Sequence, residues 1–391
     1  MKKILFVIES LGIGGAEKSL VSLLNTLDYS LYDVSLLLLY KEGSLLQYVP
    51  KTVTILPETD YYRFTKKSIV AQLTSFDLRF ILCRIKTGLY IRSFFDRQLY
   101  SSQKHWKAVE YIFPRNEEEY DVAVAWGQGM PTYYVADKIK ADRYIAVINA
   151  DYSTLKLNRD YDRWYYNHYH KMVAVSETLN TSLKREFPGY SKKITTIYDI
   201  VQRDVIEKMS QAFNPYVKDK ATTILATVGR LDKAKGYDLL VAAADYLKKQ
   251  NISFTWFIVG EGSERSTIEK LIRDHFLNSE IILVGEQENP YPYIKNADIY
   301  VQTSKTEGFC LTLLEARILN SIIISTNFPT AIKQIRENET GIIVPMDGES
   351  IGRAICYVLK DEIIGHRLSS NLSLEKKDNQ EEVEKWYQVF K

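Results

Sequence analysis

Cysteine is scarce: Cys83, Cys310 and Cys356 lie far apart, and an odd, isolated set offers neither a disulfide framework nor a cysteine-based metal site. That usage suits a reducing compartment. Long apolar runs are also missing. The stretch Leu36 to Leu39 is far too short to span a bilayer, and Met1 leads straight into a strand-like run without a leader pattern. The expectation is a cytoplasmic protein without transmembrane helices. Net charge is nearly absent at +2, and no helix-turn-helix, zinc or aromatic-repeat pattern occurs, which excludes nucleic acid as the partner. His168 and His170 share a face only on a strand, and two such ligands alone make no metal site. No metal and no cofactor are expected.

What is present is a chain of 391 residues, 46% hydrophobic and 26% charged, long enough for two ordinary cores. Apolar strand runs alternate with amphipathic helices. One array has strands near residues 2–8, 33–39, 121–126, 143–149, 171–175 and 194–198. The other has strands near 223–228, 254–259, 280–284, 298–302 and 321–325. The polar stretch from Asp199 to Lys220, with Asn214-Pro215, separates the last strand of the first array from Ala221. Such alternation predicts an α/β protein with two parallel sheets, each taking ligands at its carboxyl edge.

Within the second array, Glu307 to Ala316 reads Glu-Gly-Phe-Cys-Leu-Thr-Leu-Leu-Glu-Ala. Glu307 sits in a strand-to-helix loop, and Leu311, Leu314, Ile318 and Leu319 recur at helical spacing, so a helix is predicted from near Cys310. Its first-turn amides suit an anion, with Glu315 beyond them. Two carboxylates eight apart are common by chance among 49 acidic residues. Thr227 to Leu240 places Arg230 and Lys235 after a strand, with Gly229 ahead of them and Gly236 turning into a helix. Phe257 to Gly260 and Ile282 to Gly285 are two further strand runs ending in glycine. At the amino terminus Gly14 and Gly15 open a helix bearing Leu20, Leu23, Leu24 and Leu27, but Gly12, Gly14 and Gly15 do not fit the dinucleotide fingerprint.

The Glu-Gly-Phe and Leu-Leu-Glu-Ala elements, the Arg230–Lys235 segment and the Gly-Gly-Ala-Glu turn together resemble retaining glycosyltransferases of the GT-B type, in particular family 4 as found in bacterial polysaccharide synthesis. The resemblance implies two Rossmann-like domains facing a central cleft. Residues 1–200 would bind the acceptor, 201–375 would bind a nucleoside diphosphate sugar such as a UDP-sugar, and 376–391 would be a helix returning to the first domain. It implies catalytic roles for Glu307, Arg230, Lys235 and Asn149. It implies donor contacts from Gly14, Gly15, Gly229, Gly260, Gly285, Gly308, Phe309, Cys310, Leu311, Thr312 and Glu315. Fixed cations facing a leaving diphosphate stabilise the charge that develops in the transition state.

Three positions depart from the family. Asn149 stands where a histidine is common, and asparagine can hydrogen-bond but cannot take up a proton. Asp199 replaces a more frequent asparagine, and Cys310 replaces a glycine or proline. Residues 61–115 interleave Arg63, Lys66, Lys67, Arg79, Arg84, Lys86, Arg92, Arg97, Lys104, Lys107 and Arg115 with aromatics, against only Asp77, Asp96 and Glu110. That basic insertion is equally a solvated helical face or a surface for anionic lipid, worth about 1 kcal/mol per cation near a membrane. A polyprenyl-diphosphate-linked glycan acceptor would favour the second, placing the protein peripherally on the inner face of the cell membrane. The function expected is sugar transfer to a hydroxyl of a glycan or lipid-linked glycan in cell-surface polysaccharide, including capsule, synthesis. A non-catalytic partner subunit of another glycosyltransferase and a nucleotide-sugar epimerase stay open as alternatives.

Overall fold

The computed structural model describes residues 1–74, 77–92, 96, 98–155, 157–217, 222–375, 379 and 381–391. Of the positions singled out above, Arg97, Lys220 and Ala221 lie outside the described residues, as do 376–378 and 380 of the carboxy-terminal segment. The chain divides into two compact units, Met1–Val201 with Asn379–Lys391, and Gln202–Asp378.

The first unit is built on β1 (Lys2–Ile8), β2 (Tyr32–Leu38), β3 (Thr54–Ile55), β4 (Glu119–Trp126), β5 (Lys140–Ile148), β6 (Lys171–Ala174) and β7 (Ile194–Thr196). All pair in parallel, in the order β3-β2-β1-β4-β5-β6-β7. Ile4, Leu5, Phe6 and Val7 are fully buried in a row, as a strand covered on both faces requires. The helices are α1 (Gly15–Leu24), α2 (Asp60–Thr65), α3 (Ile69–Thr74), α4 (Leu78–Arg92), α5 (Ser101–Val109), α6 (Met130–Lys138), α7 (Arg159–Tyr166) and α8 (Glu177–Glu186). Ser176 caps α8 by accepting a hydrogen bond from the Leu179 amide. The basic insertion is helical, and its Tyr61, Tyr62, Phe64 and Phe80 pack among themselves and against Phe113.

The second unit holds β8 (Thr223–Val228), β9 (Phe254–Val259), β10 (Ile281–Gly285), β11 (Ile299–Gln302), β12 (Ile323–Thr326) and β13 (Ile342–Val344). These are also all parallel, in the order β10-β9-β8-β11-β12-β13. Its helices are α9 (Arg203–Ser210), α10 (Tyr237–Lys249), α11 (Arg265–Asp274), α12 (Tyr291–Asn296), α13 (Leu311–Ile318), α14 (Pro329–Gln334), α15 (Gly348–Lys360) and α16 (Glu362–Ser373). Leu225, Trp256, Ile258, Val301 and Ile324 form the floor of its core. Trp256 Nε1 donates to Thr227 Oγ1 at 3.0 Å, which in turn donates to the Val301 carbonyl at 2.7 Å, so the polar atoms buried there are satisfied.

In each sheet the strand order reverses once, between β1 and β4 and between β8 and β11. Ligands of open parallel sheets bind outside the carboxyl ends at such a switch point. Two short strands, β3 and β13, were not expected, because two or three residues carry no readable period. Within the polar stretch, the division between the two units falls after Val201. Arg203–Ser210 folds as α9, buries Ile206 and Ser210, and its Met209 carbonyl accepts from Asn289 Nδ2 at 2.8 Å.

The last helix, α17 (Glu382–Phe390), belongs to the first unit. Trp386 stacks on Trp126 with centroids 5.2 Å apart, Tyr387 stacks on Tyr32 at 5.5 Å, and Phe390 meets Phe6 edge-on at 6.2 Å. Asn379 Nδ2 donates to the Asp199 carbonyl at 2.6 Å, and its Oδ1 accepts from the Val201 amide at 3.1 Å. One side chain thus ties the place where the chain leaves this unit to the place where it returns.

Candidate functional site

The switch point of the second sheet is where the sequence-predicted residues gather. Beyond β8, the Gly229 carbonyl accepts from Tyr237 Oη at 2.7 Å, and Asp232 caps the short turn Lys233–Lys235 through the Ala234 amide at 2.9 Å. Gly236 then takes φ +66°, and a Cβ there would stand 2.1 Å from the Thr303 carbonyl oxygen. Only glycine lets the two loops approach this closely. Two further hydrogen bonds zip them together: Thr303 Oγ1 to the Lys235 carbonyl at 2.8 Å, and the Lys305 amide to the Ala234 carbonyl at 2.7 Å.

This loop pairing brings Lys235 Nζ to 2.6 Å from Glu307 Oε1, with side chains only 17% and 11% exposed. Burial pulls the lysine towards neutrality, but the Glu307 carboxylate and its hydrogen bond outweigh it and hold the ammonium above its ordinary pKa. Glu307 Oε1 also accepts from Ser304 Oγ at 2.6 Å and Gln302 Nε2 at 3.4 Å. Gln302 Oε1 is itself held by Tyr300 Oη at 2.6 Å and Thr312 Oγ1 at 3.2 Å. Sequence reading missed Gln302 as a site residue; the available signal was a polar residue, two before Ser304, closing an apolar strand.

Helix α13 begins at Leu311, one residue later than expected, because Cys310 is its N-cap and adopts φ +66°. Glycine takes that conformation without strain, whereas cysteine does not. Burial, and then the negative charge of Glu307, push the Cys310 thiol far above its usual pKa, so it is a neutral packing group contacting Thr312 Oγ1 at 3.6 Å. The Phe309 carbonyl accepts from Gln334 Nε2 on α14. Glu315 is 2% exposed and accepts from Tyr291 Oη at 3.0 Å.

Gly260 and Gly285 close the neighbouring strand ends, where the Gly260 amide donates to the Gly285 carbonyl at 2.8 Å and a Cβ on Gly260 would lie 2.0 Å from the Gly229 carbonyl oxygen. Arg230 stays out of the network. Its side chain is 75% exposed, with Nε 3.4 Å from Asp232 Oδ2. The remaining candidates lie in the first unit. Gly14 is the N-cap of α1, and a Cβ there would strike the Glu17 carboxylate at 2.2 Å; Gly15 is the first residue of the helix. Asn149 follows β5, donates its amide to Gln128 Oε1 at 3.0 Å, and has a buried Oδ1 without a hydrogen-bond partner. Gln128 also donates to the Ala150 carbonyl at 2.6 Å and so shapes this turn, a role its sequence context did not signal. Among the described residues no group of three or more His, Cys, Asp or Glu is placed to hold a metal.

Two parallel, Rossmann-like sheets with this strand order define the GT-B class of fold. Residues 209–374 match the family model described as glycosyl transferases group 1. The chain is 27% identical over 182 residues to the Campylobacter jejuni N-acetylgalactosamine-N,N'-diacetylbacillosaminyl-diphospho-undecaprenol 4-alpha-N-acetylgalactosaminyltransferase, covering 46% of this chain and 48% of that protein. It is 23% identical over 213 residues to the Staphylococcus aureus capsular polysaccharide biosynthesis glycosyltransferase CapM, covering 51% and 55%. The chain thus spans about half the length of these curated relatives. Anabaena Alr3699/HepE, solved with UDP and glucose, superposes with a TM-score of 0.70 over 99% of this chain and 98% of that one; at 15% identity this likeness is one of fold alone.

Proposed function

We propose that this protein is a retaining, metal-independent glycosyltransferase of the family 4 type that moves a sugar from a UDP-sugar to a hydroxyl of a glycan or polyprenyl-diphosphate-linked glycan. Its place would be cell-surface polysaccharide synthesis, such as capsule, in the cytoplasm at the inner face of the membrane. The carrying observation is the Lys235–Glu307 pair at the switch point of the second sheet, beside the first turn of α13. A nucleoside diphosphate brings the negative charge that an ammonium and unpaired helix amides accommodate. A carboxylate next to it suits the hydroxyls of the donor sugar.

In this reading Lys235, the exposed Arg230 and the amino end of α13 take the diphosphate. Glu307 orients the sugar and Glu315 lies toward the ribose. The leaving diphosphate accepts the acceptor's proton as the new bond forms on the face that the old one leaves, so no protein base is required. Asn149, with its unmatched buried carbonyl oxygen, is able to accept from a substrate hydroxyl. The relatives named for undecaprenol-linked and capsular glycans support the acceptor class.

The test is a thermal-shift screen across nucleoside diphosphate sugars, followed by transfer assays. A true donor raises the midpoint. Replacing Arg230 and Lys235 with Ala removes charge-assisted hydrogen bonds worth about 1.5 to 3 kcal/mol each. The double variant should stay folded and lose both the shift and turnover; unchanged turnover would overturn the assignment. Donor epimerisation without acceptor would favour the epimerase, and absence of any donor shift the non-catalytic subunit.

A further inference from the structure

Helix α4 has two opposed faces. Phe80, Cys83 and Thr87 are buried, whereas Leu78, Leu82, Ile85 and Leu89 stand 55 to 68% exposed. On an ideal helix these four fall in a stripe roughly 60° wide, opposite the buried one. Single exposed apolar residues are ordinary, but four on successive turns form a patch.

The charge carried by the helix itself is of one sign. The helix carries Arg79, Arg84, Lys86 and Arg92 and no acidic residue. Helical spacing puts Arg79 and Lys86 along one border of the stripe and Arg92 along the other. Arg84 turns away, donating to Gln72 Oε1 at 2.8 Å. The nearby acids are Asp77, 3.7 Å from an Arg79 side chain that stays 82% exposed, and Asp96, which accepts from Tyr90 Oη of the same helix and is paired with Lys107 at 2.9 Å. Lys86 Nζ lies 4.7 Å from the ring centre of Tyr111, itself 58% exposed, so a lysine and a tyrosine flank the leucines as they do at membrane interfaces.

We propose that α4 is an interfacial anchor that lies in the headgroup layer of an anionic bilayer. Leu78, Leu82, Ile85 and Leu89 enter the acyl boundary, and Arg79, Lys86 and Arg92 meet lipid phosphates. At 15 residues the helix is too short to span a membrane, and its cations keep it at the surface. Apolar insertion bordered on both sides by cations matches a surface that offers hydrocarbon beneath anions. A protein partner would have to present an apolar stripe framed by acids. The proposal rests on the transferase reading only for the idea of a lipid-linked acceptor.

The experiment is co-sedimentation of the full chain with vesicles of phosphatidylcholine alone or mixed with phosphatidylglycerol, at low and high salt. Wild type should bind the mixed vesicles, and salt should weaken this binding. Leu82→Ser with Leu89→Ser should lower the partition constant about tenfold or more at an unchanged melting temperature. Arg79→Glu with Lys86→Glu should lower it on mixed vesicles only. Fluorescence of an Ile85→Trp variant should shift to the blue on mixed vesicles, separating insertion from adsorption. Wild type indifferent to anionic lipid, or leucine variants binding as tightly as wild type, would overturn the proposal. So would a wild-type dimer that the leucine variants convert to monomer, since the occupant would then be a second copy. Neither donor nor acceptor is needed, so failure here leaves the transfer reading untouched.

Discussion

Asp199 is a carboxyl group almost sealed from water, 7% exposed, with Ser19 on α1 as its side-chain hydrogen-bond partner. Desolvation raises its pKa from 3.8 to about 7, the Ser19 hydrogen bond opposing the rise. The folded protein therefore keeps a proton that the unfolded chain releases. Its stabilising effect is full below 3.8 and is lost as pH rises through about 7. Asparagine at this position cannot ionise. Asp199→Asn should become more stable than wild type as pH rises across that window, by on the order of 3 kcal/mol at pH 8. Urea unfolding at acid and alkaline pH checks this; an advantage independent of pH would refute the buried-acid account.

At the scale of elements, the site is made by loop ends that approach too closely for side chains. Gly260 has φ +146°, and its added Cβ would meet the Gly229 carbonyl oxygen at 2.0 Å, backbone that cannot rotate away. Gly260→Ala should cost at least about 2 kcal/mol and, on the proposed donor reading, weaken UDP binding by displacing the β8 tip that leads to Lys235. Gly12→Ala is the control, since a Cβ there meets nothing within 4 Å. Melting temperature and calorimetric UDP affinity should both fall for Gly260→Ala and stay level for Gly12→Ala. Equal tolerance would mean that the tips of β8 and β9 move apart freely.

For the whole molecule, the chain's return in α17 decides how the first unit is finished. Trp386 is 3% exposed against Trp126, and Phe390 is 1% exposed against Phe6, so this helix completes a core begun by β1 and β4. Trp386→Ala should destabilise by about 3 to 5 kcal/mol, as a large buried aromatic does when truncated. Because the chain forms two compact units, the loss should fall on one calorimetric transition and leave the other in place. A single transition that shifts as a whole would show that the units unfold together.

Strand and helix alternation and the glycine-marked strand ends were legible in the chain, because local period and backbone chemistry are properties of neighbouring residues. So was the Glu307-to-Glu315 spacing across the start of α13. What sequence could not decide was which distant groups meet. Lys235 finds Glu307 across 72 positions only because β8 and β11 are neighbours in the sheet, and Arg230, from the same segment, remains exposed beside Asp232. Gln128 meets Asn149 and Ala150 because β4 and β5 are neighbours in the first sheet, and Tyr291 reaches Glu315 across 24 positions. The basic insertion showed its charge in the sequence, yet only packing against Phe80 and Cys83 determined that Leu78, Leu82, Ile85 and Leu89 face outward. Periodicity finds an apolar face; tertiary burial chooses which one the protein keeps for itself.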